Sequence, residues 1–464
     1  MSIQFRVRDF RYPISIVLLR LLFERSQSWS IEDHAEYQRR LLRCVITQAY
    51  HQVPYYQDLF RTLRLRPADI RTIRDLQKLP LLPKATVRTH FHQLQAKNKN
   101  LYHARMYQTS GTSGAPVRFL LDKPANVLEF VHYWSHWSWA GYRLGKRFAE
   151  LTSHYFLQND ELAKQPWRSQ RSFGRLLLNS LSLCPDGVEE LARALRRHRP
   201  SFLKGLASPL YFFALFLKEK KIEDITLRGV FSTGEVLLSS QRKLIEEVFH
   251  TKVYDSYGHM ERTVAISECP SGRLHINPEY GVLELVDHSP LSVASDCGHR
   301  SVDVCAARVV GTSLHNRSMP LLRYEVGDLV EVEEPSPQCS CGRSMPSVRR
   351  IIGRQEDVVT TPDGRVISSL FIVFNQVAGI SLGQVVQEAP DRLSVRVVPS
   401  SAYTSQSESD LYGYLRRFLG PAMHVDVEYM SAEALRRRTV GKFRTIISAV
   451  PAPYAAVIQT NQRT

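Results

Sequence analysis

Between residues 109 and 114 the chain reads TSGTSG, six hydroxyl-bearing or glycine residues in a row, framed by MYQ before and VRFLL after. Successive backbone N–H groups in such a loop can converge on an anion, and the hydroxyls add donors. The glycines let the main chain approach closely. Thr109, Ser110, Gly111, Thr112, Ser113 and Gly114 could therefore cradle the phosphates of a nucleotide. Taken alone, the same composition also suits a polar surface turn. It is not a Walker A loop, because no Lys-Ser/Thr pair follows the second glycine.

A second group of residues has the chemistry of a metal site. Cys339 and Cys341 form a C-x-C, while Cys269 and His275 stand in ECPSGRLH. Two thiolates one residue apart and a distant Cys/His pair can complete a tetrahedron around Zn²⁺. Cys297 and His299 are rival ligands, and four reduced residues near a turn are the plain alternative. The seven cysteines form an odd count with no signal peptide expected ahead of them, which argues against a disulfide framework.

The elements that must position these residues follow from periodicity. The chain has 464 residues, enough for two or three domains, and 43% hydrophobic with 23% charged residues describes a soluble globular protein. Residues 1–62 read as helical, with a break at Pro54. The run Tyr12–Phe23 is interrupted by Arg20, is too short to span a bilayer and lacks a small-residue cleavage site. The cytoplasm is the expected compartment. PANVLEFVHYWSHWSWAGY predicts a long aromatic helix, which either packs in a core or walls an apolar pocket.

The middle of the chain alternates GVFST, SSQRKLIEEVFH, KVYDSYG, GVLELV and ARVVGTSL, the texture of an α/β domain. Ligands in such sheets bind at the carboxyl ends of strands, where STGE and DSYGHME fall. Near residue 353 the texture changes to a charged turn, a D-G hairpin, a helix and a strand, the size of a small α+β domain. The expected division is residues 1–353 and 354–464.

The net charge of +16 suits nucleic acid, an anionic membrane surface or phosphorylated substrates. No zinc-finger spacing or aromatic RNA-binding pattern accompanies the basic runs, so no specific nucleic-acid partner is expected, whereas peripheral contact with an anionic membrane stays open.

In order, TSGTSG, STGE, YGHME, RYEVGD, GRQED and VGKFR resemble the adenylate-forming enzymes, specifically the phenylacetate–CoA ligase-like branch with its capsular-polysaccharide-associated relatives. The resemblance runs from about Ser30 to Val450 and includes QVPYYQDLF, LPLLPK, GLASPL and CSCGR. It implies a large N-terminal α/β adenylate-forming domain and a small mobile C-terminal α+β domain. The implied activity is ATP-dependent conversion of an aryl or acyl carboxylic acid to its adenylate, followed by transfer to coenzyme A. An amine, a saccharide hydroxyl or a carrier protein is the alternative acceptor, and a non-catalytic nucleotide- or surface-binding protein is the alternative of a different class.

By the same resemblance, residues 109–114 look like the phosphate loop, and Thr233, Gly234, Glu235, Tyr257 and Gly258 like the adenine wall. Glu261 is similar to the Mg²⁺-associated glutamate, Asp328 to the ribose-binding carboxylate, and Arg354 could reach nucleotide oxygens. Glu356 stands at the hinge, and Lys442 resembles the lysine of the C-terminal domain. Some relatives carry a structural metal, which adds to the reading of Cys269, His275, Cys339 and Cys341 as a Zn²⁺ site. His132, Tyr133, Trp134 and Trp137 are the expected walls of the acid pocket. Two departures stand out. Ala115-Pro116 replaces the family's Lys-Pro after the loop, weakening charge pairing with the phosphates, and residues 288–305 replace a glycine-rich turn.

Overall fold

The computed structural model describes residues 13–109, 116–153, 155–158, 160–170, 174–183, 187–294, 301–333, 338–354, 358–362, 366–368, 370, 373–438 and 443–450. Ser110–Gly114, Cys297, His299, Glu356 and Lys442 lie outside the described residues.

The helical N-terminus comes in three pieces, Pro13–Ser26, Ile31–Gln52 and Pro54–Thr62. Ser30 starts the second with a reciprocal cap: its Oγ accepts from the Asp33 amide at 3.1 Å, and Asp33 Oδ2 accepts from the Ser30 amide at 3.0 Å. Pro54, which the periodicity marks as a break, opens the third helix. A proline costs nothing at the first helical position, where its missing N–H would have no intrahelical partner.

Five parallel strands form the centre of a nine-stranded sheet, in the order Arg175–Asn179, Phe148–Thr152, Phe202–Gly205, Gly229–Thr233 and Val253–Gly258. Antiparallel strands extend both edges: Trp167–Gln170 on one side, Ala265–Glu268, Leu274–Ile276 and Ser347–Val348 on the other. Four of the parallel strands are buried along their whole length, as a sheet covered on both sides requires, and the charged residues among them, Glu150, Arg175 and Lys204, pair with one another. The helices Val188–His198, Ala207–Glu219 and Ser239–Phe249 bury Leu191, Leu195, Phe213 and Phe249 against one face. The aromatic helix Lys123–Trp139, capped by Asp122, covers the other, and the N-terminal helix lies against it through Phe23.

A six-stranded sheet follows, in the order Arg350–Arg354, Tyr324–Glu331, Ser301–Ser313, Gly281–Ala294, Val366–Ser368 and Val358–Thr360. The segment 288–305 proves to be largely the distal half of its long hairpin, paired from Ser289↔Ala306 to Ala294↔Ser301. The hairpin after Arg354 reaches in two directions. It bridges to the long hairpin through Val293↔Ser368, and Thr360 exchanges hydrogen bonds with Gln387 at 3.0 and 2.6 Å. Gln387 belongs to the last sheet, a four-stranded one ordered His424–Tyr429, Arg392–Pro399, Ile380–Ala389 and Ile446–Ser448. The helix Ser405–Leu419 covers that sheet, and its core takes in Val236 and Leu238 from the loop before the helix Ser239–Phe249.

Candidate functional site

A cavity of about 200 Å³ opens at the carboxyl ends of the parallel strands. Its walls come from three sheets: Gly234, Glu235, Asp255, Tyr257 and Gly258 from the large sheet, Asp328 and Arg354 from the six-stranded sheet, and Phe443–Ile446 from the last. Parallel strands point their carboxyl ends the same way, and loops leaving them diverge, so a cleft forms there by topology.

Gly234 ends its strand at φ +78°, a left-handed conformation that a side chain would strain. That turn aims Glu235 at the start of the helix Ala207–Glu219, where one carboxylate oxygen accepts from the Ser208 amide at 2.8 Å and its hydroxyl at 2.7 Å. Glu235 thus neutralises the positive end of that helix and fixes the cavity wall.

Tyr257 and Asp255 alternate on one face of their strand and both reach the cavity. The Tyr257 hydroxyl donates to Asp328 Oδ2 at 2.6 Å, and Arg354 Nε stands 3.0 Å from Asp328 Oδ1. Direct strand pairing of Asp328 with Arg354 sets this geometry. Burial, with the Asp328 charge adding to it, pushes the Tyr257 phenol well above its usual range, so it stays a donor. The carboxylate is held by a phenol and a guanidinium at a wall lined by Gly353 and Gly258, where sugar hydroxyls could compete for its oxygens.

Glu261 lies behind this wall, 5% exposed. Its Oε1 accepts from the Tyr324 hydroxyl at 2.6 Å and its Oε2 from His259 Nδ1 at 2.9 Å. The other ring nitrogen of His259 stands 2.9 Å from the Thr263 hydroxyl. Burial raises the Glu261 carboxyl, but the His259 hydrogen bond and charge and the Tyr324 hydroxyl outweigh it and bring it to about 2. The group is therefore an anion with oxygen lone pairs, the donor type that Mg²⁺ takes. Its position depends on two glycines. A Cβ at Gly281 would stand 1.8 Å from Thr263 O, and one at Gly311 would stand 1.8 Å from Thr263 Oγ1.

Thr109 closes the end of a two-stranded hairpin. Its amide donates to Val117 O at 3.0 Å and its Oγ1 accepts from the Val117 amide at 2.9 Å. This pins the two strands Arg105–Gln108 and Arg118–Leu121 at the end of their pairing.

The four aromatic positions expected to wall an acid pocket divide. His132 packs edge-on against Phe23 and Tyr280, and burial drives its pKa down to about 3. Trp134 packs with Phe130, and Trp137 stacks on Phe231 at 5.0 Å. Tyr133 instead reaches the strand end, its hydroxyl 3.2 Å from Thr233 Oγ1. Helical spacing could not separate them, because which face of the helix meets the N-terminal helix is a tertiary matter. Beneath Tyr133 lies a buried charge cluster: Lys204 Nζ sits 4.8 Å from the Tyr133 ring centroid and 3.6 Å from Glu150, which also pairs with Arg175.

Asp255 is a charged lining residue that the motif-based site calls did not name, although its i, i+2 relation to Tyr257 was the available signal. Its Oδ1 has no hydrogen-bond partner among the described residues. Burial first, and the Glu268 charge second, raise its carboxyl to about 7 against the pull of Arg242. An acid raised in the folded state destabilises the fold progressively as pH climbs from the ordinary 3.8 to about 7. Asp255→Asn should therefore melt higher than wild type above pH 7 and match it below pH 3.8. Melting curves across this range check it, and an equal difference at every pH rules it out.

Cys269, His275, Cys339 and Cys341 come together with their ligand atoms all within 4.8 Å of one another. Cys269 Sγ and Cys339 Sγ are 3.7 Å apart, too far for a disulfide, and Cys341 Sγ is 3.3 Å from His275 Nε2. Thiolates at Zn–S distances of about 2.3 Å on a tetrahedron stand about 3.8 Å apart, so the set fits. His275 Nδ1 donates to Met345 O at 3.0 Å, which leaves Nε2 facing the sulfurs.

No protein-family model matches the chain. It is 21% identical to Protein CapK of Staphylococcus aureus over 319 residues, 68% of this chain and 67% of that protein. It is 23% identical to a phenylacetate-coenzyme A ligase of Thermus thermophilus over 343 residues, covering 69% and 70%. Among solved structures, 2-hydroxyisobutyryl-CoA ligase in the postadenylation state in complex with 2-HIB-AMP superposes with a TM-score of 0.68 at 19% identity, covering 95% of this chain and 94% of that one. The chain thus has the mixed α/β fold of the adenylate-forming acyl-CoA ligases.

Proposed function

We infer that this protein activates a carboxylic acid with ATP and passes the acyl group to coenzyme A. In the first step a carboxylate oxygen attacks the α-phosphorus and pyrophosphate leaves. In the second a thiol attacks the acyl carbonyl, and AMP departs with the bridging oxygen. Such chemistry needs positioning and charge stabilisation more than a protein nucleophile.

The observation that carries this reading is the cavity itself, where Gly234, Tyr257 and Asp328 face Arg354, Phe443 and Arg444. Tyr257 and Gly258 offer a flat face to adenine, and the unpartnered Asp255 oxygen can accept from an exocyclic amine. Asp328 holds ribose hydroxyls, with Arg354 fixing its orientation. Thr109 anchors the loop whose Ser110–Gly114 amides receive the phosphates. Glu261, an anion of fixed orientation, would hold Mg²⁺. When bound, that ion spreads the charge of the phosphates. The chain divides functionally at Arg354, with Glu356 as the hinge and Lys442 delivered by the small domain. Similarity to phenylacetate-coenzyme A ligases supports an aryl or related organic acid, with Tyr133 at the strand end as the pocket wall nearest the reacting carboxylate.

Acid-dependent exchange of labelled pyrophosphate into ATP, followed by detection of the acyl-CoA, tests both steps. Exchange without a thioester would move the acceptor to an amine, a hydroxyl or a carrier protein. Absence of exchange across a broad acid panel would rule out the reaction.

The cysteine–histidine cluster holds Zn²⁺ as a structural tie between the segment 338–345 and the edge of the large sheet. Purified protein should carry about one equivalent of zinc. Cys339→Ser should lose it and melt several degrees lower, with adenylation unchanged at a temperature where the variant is folded. Zinc-free protein with the same melting temperature would refute the site.

A further inference from the structure

The N-terminal helix Pro13–Ser26 is apolar on more than the face it buries. Phe23 packs into the core beneath the aromatic helix, with Ile16, Leu19 and Leu22 beside it. On the outer side, Val17 is 52% exposed, Leu18 61% and Leu21 44%, a stripe at i, i+1 and i+4 that ends in the exposed Arg25. A second segment repeats the pattern. The turn after the aromatic helix carries Leu144, 50% exposed, between exposed Arg143 and Lys146. The two lie side by side, since Tyr142 opens this turn within the same packed cluster as Phe23, and the Arg20 guanidinium acts on its phenol.

A cationic rim continues from the turn. Arg147 Nη1 donates to His198 O at 3.1 Å, joining the turn to the end of the helix Val188–His198, where Arg197 and Arg199 are exposed. Arg228 is exposed on the neighbouring loop, tied in by its amide to Ser201 O at 2.8 Å. Asp224, beside it, is already paired with Arg196. All these loops lie at the amino ends of the parallel strands, across the sheet from the nucleotide cleft.

We propose that this face docks on an anionic lipid bilayer, with Val17, Leu18, Leu21 and Leu144 entering the interface and the arginine–lysine rim meeting lipid phosphates. Apolar insertion and a cationic patch together give reversible anchoring that neither achieves alone. No described helix is long and apolar enough to cross a membrane, so the contact is peripheral. Charge selects the occupant. A second copy would bring the same cations against themselves. Residues 1–12 add Arg6, Arg8 and Arg11 against Asp9 alone, and 451–464 add Arg463 with no acid, so neither segment neutralises the rim. Docked this way, the cleft opens away from the bilayer and stays accessible to ATP and thiol.

The test is co-sedimentation of the full chain with vesicles of phosphatidylcholine, with and without phosphatidylglycerol. Binding should require phosphatidylglycerol and fall steeply with added salt. Replacing Arg143, Lys146 and Arg147 together by alanine should weaken it about a hundredfold, at roughly fivefold per cation. Leu18→Asp with Leu21→Asp should weaken it at least about tenfold. Thermal melting of each variant shows whether it remains folded, and the lipid and salt dependence of wild type stands without them. Equal binding to both vesicle types, binding to neither, or wild-type binding by either folded variant overturns the proposal. So does self-association abolished by the leucine pair, or a preference for RNA over vesicles abolished by the triple alanine variant.

Discussion

Lys442→Ala should slow acyl-adenylate formation by about two to four orders of magnitude, the effect of losing one strong electrostatic stabiliser. It should leave transfer from a preformed acyl-adenylate to the thiol near the wild-type rate. Lys442 is outside the described residues, but its neighbours Phe443, Arg444, Thr445 and Ile446 line the cavity at the strand ends. In adenylation, negative charge builds on the oxygens around the α-phosphorus as the carboxylate attacks. An ammonium there favours the transition state over the bound substrates, which is the condition for raising kcat. The four-stranded sheet has a core cluster built mostly from residues after 358, and the strand Arg350–Arg354 precedes it in the chain. A rotation at Glu356 would withdraw the 442–446 segment after the first step. Glu356→Pro should then produce the reverse pattern, sparing adenylation and impeding thioester formation, because proline restricts the hinge dihedral. Pyrophosphate exchange reads the first half-reaction, and a synthetic acyl-adenylate reads the second. If Lys442→Ala slowed both halves equally, or neither, domain alternation would be the wrong mechanism here.

Glu261→Gln should cost about two to three orders of magnitude in adenylation, partly recovered by raised Mg²⁺. The carboxylate accepts from Tyr324 through one oxygen and from His259 through the other. Glutamine keeps one acceptor and puts an amide N–H₂ against the second donor. The charge that would meet Mg²⁺ is lost, and either His259 or Tyr324 must turn away. A purely structural role predicts something different: lower melting temperature with a rate that does not respond to Mg²⁺. Titrating Mg²⁺ against the exchange rate in both proteins separates the two, since only the ligand role shifts the half-saturating concentration.

The cavity-lining residues that the motifs singled out are not all alike. Gly234 and Tyr257 stand at the ends of strands, whereas Asp328 is inside the strand Tyr324–Glu331, after Gly327, whose positive φ accompanies a shift of register. The strands GVFST and KVYDSYG fall where apolar runs predict them, and so do the helices Ser239–Phe249 and Ser405–Leu419. Cys339 and Cys341 announce themselves by spacing, but pairing them with Cys269 and His275 across some 70 residues needed the edge strands Leu274–Ile276 and Ser347–Val348 to align.

Other features were silent for physical reasons. Asp255 looks like one acid among many until the sheet buries it beside Glu268 and leaves an oxygen unpaired. His132, Tyr133, Trp134 and Trp137 have the same aromatic character, and only packing of the N-terminal helix on theirs commits His132 to the core. The close fit of Gly281 and Gly311 against Thr263 exists between segments distant in the chain, so neither glycine could announce it. By itself, then, the sequence determined the elements, the order of the motifs and the chemistry each could do. Those depend on local propensity and on residue type. The tertiary structure alone decided which groups meet across the cleft, which carboxylates are held charged or neutral, and which apolar face is left uncovered. Desolvation, ion pairing and complementary packing arise only when distant segments are brought into contact.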